Sequence, residues 1–188
     1  ALMHAEAVLV REHAGYRVAF GWGTLVPRWS VSHMGRSLAF EPPDAPREVE
    51  PFVLCVDDDR IVPDGSWRRV ESFAERAVFD PRRHARELFV AIADELIGKP
   101  AQGLHLRARP LEASTRVIGA FLRTASSLEP EKLLGAERLR ELAKVPLFTR
   151  PFSIARVSAE PYLERGSLPF VPREAEALRG RRVEFDAL

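Results

Sequence analysis

The stretch REVEPFVLCVDDDRIVPDGSWRRV, Arg47 to Val70, decides how the rest of the chain is read. An apolar run, Phe52 to Val56, leads into three carboxylates, Asp57, Asp58 and Asp59, and then into a Pro63-Asp64-Gly65 turn. Bounded by turn residues and too short for a helix, the run predicts a central strand. Ser66 follows in a position to cap a helix, with Trp67, Val70, Phe73, Ala74 and Ala77 spaced along one helical face.

Upstream, Ala7 and Leu9, then Val18 and Phe20, alternate around His13-Ala14-Gly15-Tyr16, the pattern of a β-hairpin closed by glycine. Trp29 to Phe40 repeats it around Met34-Gly35. The proline-rich segment Glu41 to Pro51 interrupts regular structure, because proline fixes φ and lacks an amide donor. Downstream, Asp80-Pro81 places a capping carboxylate before a proline at the first helical position. Ala85, Leu88, Phe89, Ile92 and Leu96 then keep helical spacing until Gly98 and Pro100 end the helix. That apolar stripe is expected to cover one face of the sheet.

Val117, Ile118, Phe121, Leu122 and Ala125 predict a third helix, and Pro130 opens a fourth through Leu133, Leu134, Leu139 and Leu142. The last forty or so residues carry short runs, Ser153 to Val157, Leu168 to Val171 and Val183 to Phe185, separated by proline and glycine. The expected fold is therefore α+β: an antiparallel sheet of N-terminal hairpins covered by helices, then a helical pair and a short-stranded tail. Residues 1–108 form the sheet-and-helix domain in this reading, and 109–188 the helical pair and tail.

Composition narrows the function. With 188 residues and 46% hydrophobic content, the chain can bury a core without metal or disulfide support. Its 28 basic and 27 acidic residues nearly cancel, so any affinity for nucleic acid or anionic lipid must come from a local patch. Only Lys99, Lys132 and Lys144 among the basic residues are lysines, which further disfavours a nucleic-acid partner. Cys55 is the single cysteine, which excludes an internal disulfide and a multi-cysteine zinc site and suits a reducing cytoplasm. No apolar run reaches the roughly 18 residues of a membrane span, and no membrane partner is expected. The chain opens at Ala1 rather than Met, and it is expected to be a module of a longer polypeptide.

The chemistry-bearing residues gather around the acidic triplet. Asp57 and Asp59, alternating at a strand end, are the residue types that hold magnesium or manganese, with Arg60 or Arg69 available to a phosphate. Nucleotide-sugar glycosyltransferases carry a similar Asp-X-Asp, but the hairpins before it are not the alternating strands and helices of their nucleotide pocket. The competing reading is a polar turn in which the aspartates bond nearby amides and Arg60 neutralises them. Arg82, Arg83 and Arg86 at the start of the second helix, with Arg68 and Arg69 before it, can contact phosphates. Glu71, Glu75 and Glu87 offer them ion-pair partners instead. The histidines, His4, His13, His33, His84 and His105, have no metal-ligand spacing, and neither a Gly-x-Ser-x-Gly elbow nor a Gly-rich phosphate loop occurs.

Two phrases carry a family resemblance: SHMGRSLAFEPPDAPREVEPFVLCVDDDRIVPDGSWRRVESF, Ser32 to Phe73, and ELAKVPLFTRPFSIARVSAEPYL, Glu141 to Leu163. They resemble the region after the ATP-binding domain in bacterial chaperone-like members of the GHKL ATPase superfamily, which includes gyrase, heat-shock chaperones, histidine kinases and mismatch-repair ATPases. The shared pattern is a strand, a Pro-Asp turn and a Trp-bearing helix, followed by a Pro-Leu-Phe phrase and a Ser-rich strand. The resemblance implies a transducer-like domain that relays nucleotide state from an adjacent ATPase domain to partner surfaces. The superfamily's Asp-x-Gly-x-Gly loop and Glu/Asn helix are not in this sequence, so no ATP-binding residue is carried over. A non-catalytic, cytoplasmic interaction or transducer module with a protein partner and no cofactor is the leading expectation. A metal-dependent transferase or hydrolase using Asp57 and Asp59 is the alternative, and a nucleic-acid-binding module using Arg82 to Arg86 is a second.

Overall fold

The computed structural model describes residues 2–23, 28–41, 49, 52–73, 76–107, 130–146, 148–149 and 156–159. The chain divides into two units, Ala1–Ala91 with Gln102–Arg107, and Ile92–Ala101 with Ala108–Leu188.

Both N-terminal hairpins form as the alternation predicts. Strands β1 (Ala7–His13) and β2 (Tyr16–Trp22) pair antiparallel, with Ala7 opposite Trp22 and His13 opposite Tyr16. Strands β3 (Arg28–His33) and β4 (Arg36–Leu38) are joined by Met34 and Gly35, both at positive φ as in a type I′ turn. Strand β5 (Phe52–Asp58) inserts between the hairpins, antiparallel to β2 and parallel to β3. With β8 (Leu104–Leu106) beside β1, the order is β4-β3-β5-β2-β1-β8. The sheet is thus mixed, where hairpins alone predict an antiparallel one. The cause lies in β5, whose Phe52, Val53, Leu54 and Val56 are all buried. A strand apolar on both faces is stable only in the interior of a sheet, and the slot beside β3 makes it parallel to that strand.

Register sorts the side chains by face. Phe20, Trp22, Phe52, Leu54 and Val56 are cross-strand neighbours on one face, and the helix α1 (Pro81–Leu96) packs there through Trp22 against Phe89 and Phe20 against His84. Leu88 and Phe89 are fully buried, each contributing about 1.5–3 kcal/mol by leaving water. The predicted ends of α1 are both present. Asp80 accepts a hydrogen bond from the Arg82 amide at 2.9 Å, and Lys99 N donates to Asp94 O beyond Gly98, a Schellman stop.

The described residues of 66–77 do not form the expected helix. Val62–Pro63 (β6) and Val70–Ser72 (β7) make a small antiparallel ribbon, followed by a short 3₁₀ turn at Arg76–Phe79. The backbone of 68–70 instead pairs with Ala39 beside β4, where Ala39 N donates to Arg68 O and Val70 N to Ala39 O. Phe73, placed on a helical stripe by its spacing, packs in an aromatic cluster with Phe40 and Phe79.

In the second unit, α2 (Pro130–Lys144) follows the predicted fourth helix but breaks at Gly135, whose φ of 75° and ψ of 158° are not helical. Arg138 reaches Asp94 at 2.6 and 3.2 Å, and strands β9 (Phe148–Thr149) and β10 (Arg156–Val157) pair. The third helix expected around Val117 to Ala125, the runs at Leu168 to Val171 and Val183 to Phe185, and most of the proline-rich Glu41 to Pro51 lie outside the described residues.

Candidate functional site

Strand β5 runs two residues further than a turn reading allows: Asp57 and Asp58 belong to the strand, opposite Arg17 and Tyr16 of β2. Alternation then sends them to different faces. Asp57 lies opposite the helix-covered side, where it accepts Ser32 Oγ at 2.6 Å and Gly35 N at 3.4 Å. It thereby ties the end of β5 to the β3–β4 turn.

Asp58 lies on the helix-covered side and is only 2% exposed. A buried carboxylate needs a counter-charge, and Arg60 supplies one with three donors: its amide at 2.8 Å, Nε at 2.9 Å and Nη2 at 2.8 Å. Burial opposes ionisation of Asp58, but the Arg60 hydrogen bonds and charge outweigh it and hold the carboxyl below its ordinary range. His33 Nδ1 donates to the Asp58 carbonyl at 3.2 Å, which assigns the proton to that nitrogen. The Arg60 guanidinium lies 4.4 Å from the Tyr16 ring, on which His13 stacks. Asp59 is exposed, and its amide donates to Gly15 O.

The triplet is therefore divided among three roles. Asp57 braces a turn, Asp58 is neutralised by Arg60, and Asp59 faces solvent. Among the described residues, no group of three or more histidine, cysteine, aspartate or glutamate side chains could hold a metal ion. Arg82, Arg83 and Arg86 are exposed along α1, and Arg83 pairs with Glu87 at 3.2 Å. Arg68 and Arg69 are not on a neighbouring helix but in the loop between β6 and β7. His84, within the arginine run, is buried and donates Nε2–H to Val78 O at 2.8 Å. Burial first, together with nearby Arg83, outweighs the opposing contacts and lowers its pKa, so it packs as a neutral core residue.

A different feature emerges where the β3–β4 turn meets the β6–β7 loop. Asp64 organises the loop by accepting Ser66 Oγ at 2.9 Å, Arg68 N at 2.9 Å and Arg69 N at 3.3 Å. These bonds, the Arg68 amide foremost, hold its carboxyl below the usual range. Trp67 is thereby held at φ 56°, and Met34 in the facing turn at φ 49°. They are the non-glycine residues at positive φ among the described residues, and a left-handed backbone costs a side-chain-bearing residue roughly 1–2 kcal/mol. Burial offsets little of this cost at Met34, which is 75% exposed, whereas Trp67, 44% exposed, buries more than half of its surface. His33 and Arg36, which flank the Met34–Gly35 turn, both approach the Trp67 ring: the His33 centroid lies at 5.5 Å and the Arg36 guanidinium carbon at 6.0 Å.

Sequence reading missed this corner because it assigned Trp67 to the apolar stripe of a helix. A signal was present in Pro63-Asp64-Gly65-Ser66, which is turn chemistry with an aspartate able to bond amides further along the chain. The sequence matches no protein-family model and no curated protein.

Proposed function

We propose that the chain is a non-catalytic interaction module, a transducer-like part of a larger cytoplasmic protein that passes the nucleotide state of an adjacent ATPase domain to a protein partner. The observation that carries this reading is the display of two large apolar side chains, Trp67 and Met34, on strained and exposed backbone. Met34 recovers little of its backbone strain by burial, and strained residues concentrate where a protein binds or switches. Of the two carboxylates that a metal-dependent enzyme would use, Asp57 is engaged in bracing the fold by Ser32 and Gly35, while Asp59 faces solvent.

The test is amide hydrogen exchange on the full-length parent polypeptide with ADP and with a non-hydrolysable ATP analogue. Relay predicts that protection of residues 33–36 and 64–70 differs between the two nucleotides. Identical protection, or a parent that binds no nucleotide, removes the transducer role. Manganese titration by calorimetry separates the enzymatic alternative: a saturable heat that Asp57→Ala with Asp59→Ala abolishes would replace this proposal with a metal-dependent transferase or hydrolase.

A further inference from the structure

We infer that helix α2 is a two-state element, in which its first turn, residues 130–134, swings on Gly135 between the broken form and a straight continuation of residues 136–144. Composition supports the straight form. From 131 to 144 every residue except Gly135 is Glu, Lys, Leu, Ala or Arg, all strong helix formers. Helical spacing also runs through the break: Leu134, Arg138 and Leu142 follow one another at four-residue intervals and would share one stripe of an unbroken helix. Gly135 is the residue whose backbone must change, from φ 75° and ψ 158° to a helical φ of about −63° and ψ of about −42°. Glycine visits both regions freely.

The break lacks the usual local fixings. A glycine that ends a helix by the left-handed closure has a ψ of about 47°, far from that of Gly135. Standing in the N-cap place before Ala136, Gly135 also has no side-chain acceptor for the amides that follow. Packing does not require it either: among the described residues nothing lies within 4 Å of a Cβ added there. The broken form is held instead by anchors on either side. The second half is tied to the end of α1 by the Arg138–Asp94 fork, at 2.6 and 3.2 Å, and buries Leu142 and Ala143. Of the described side chains in the first turn, only Leu134 is buried, at 3% exposure. The turn is therefore the part that moves. Its swing withdraws Leu134 from its site, brings it into line with Arg138 and Leu142, and gives the amides of 136–138 carbonyl partners one turn back. Burial lost is set against helical hydrogen bonds gained, and the near balance of the two makes the element bistable. The switch is a property of this helix and holds whether or not an ATPase domain adjoins the chain.

The test is amide relaxation-dispersion NMR on the full chain, which reads exchange on the microsecond-to-millisecond scale of such rearrangements. Expected is dispersion at residues 134–138, with a minor state whose α-carbon shift at Gly135 is helical. Gly135→Ala disfavours the positive-φ form and favours helix. The minor-state shifts should become its ground state, and the amides of 136–138 should exchange at least about tenfold more slowly. Leu134→Ala removes the anchor without touching the hinge and should raise the minor population at least about threefold. Flat profiles across 134–138 in the wild type, minor-state shifts of unfolded instead of helical character, an unchanged population in Leu134→Ala, or a Gly135→Ala protein that keeps the broken form's shifts would each overturn the switch. Should Gly135→Ala fail to fold, the wild-type and Leu134→Ala profiles decide by themselves.

Discussion

Asp58 and Arg60 lie two residues apart, yet their pairing is tertiary in character, because it is the sheet and helix that bury the carboxylate. Removing the guanidinium in Arg60→Ala leaves a buried charge with one amide donor. Because Arg60 is itself 35% exposed, water can partly replace it, and the expected loss is about 1–3 kcal/mol by urea unfolding at neutral pH. The pH dependence has a definite sign. A carboxyl whose folded pKa is depressed contributes stability above its ordinary value and loses it as pH falls through the folded value. The gap between wild type and Arg60→Ala should therefore close in acid, below about pH 4. His84, whose pKa burial lowers, also removes stability as pH falls, but it does so in both proteins and cancels in the gap. A gap that persists unchanged at low pH contradicts the pairing. Met34 allows a second residue-scale prediction. Met34→Asn should raise stability by about 0.5–1 kcal/mol, since Asn-Gly is the preferred pair for a two-residue hairpin turn, and a higher thermal midpoint is the check.

At the scale of elements, α1 is the clearest case of sequence dictating structure. Its cap, stripe and stop are all local signals, and all three appear where the residues place them. Leu88→Ala should cost about 2–5 kcal/mol and Phe89→Ala about 3–5 kcal/mol, while Arg86→Ala on the exposed side should stay within about 0.5 kcal/mol. Denaturant midpoints separate these cases directly, and equal losses at all three would mean the helix does not bury the face assigned to it. The β6–β7 ribbon is the opposite case. Its apolar residues have helical spacing, but Asp64 withdraws the Arg68 and Arg69 amides from any helix and Ala39 pairs with the chain beside them. Asp64→Ala should accordingly speed hydrogen exchange at those two amides relative to the amides of β5. Unchanged exchange there would show that the pairing with Ala39 alone holds the loop.

Across the whole molecule, the decisive event is the return of the chain to the sheet after α1. Strand β8 docks on β1 next to Gly103, at φ +75°, where an added Cβ would meet Val10 O at 2.2 Å. Backbone cannot yield as a flexible side chain does, so Gly103→Ala should destabilise by at least about 2 kcal/mol through combined clash and strain. Exchange at residues 104–106 and the denaturant midpoint both read this loss, and a neutral substitution would mean that β8 contributes little to the sheet. Gly35→Ala is the natural comparison, because it carries the same kind of φ with nothing within 4 Å of the added carbon.

Residue order alone determined the two hairpins, the interior placement of Phe52 to Val56 and the limits of α1, because alternation, turn glycines and caps act between residues close along the chain. Only the tertiary structure decided that β5 runs parallel to β3, that 66–72 is loop and strand instead of helix, and that Asp57, Asp58 and Asp59 have different surroundings. Each of those outcomes depends on a partner far along the sequence: β3 for the strand, Ala39 and Phe40 for the ribbon, Ser32 for Asp57. A sequence states which groups seek partners, but the partner each one finds is set by packing, and that same packing leaves Trp67 and Met34 turned toward solvent.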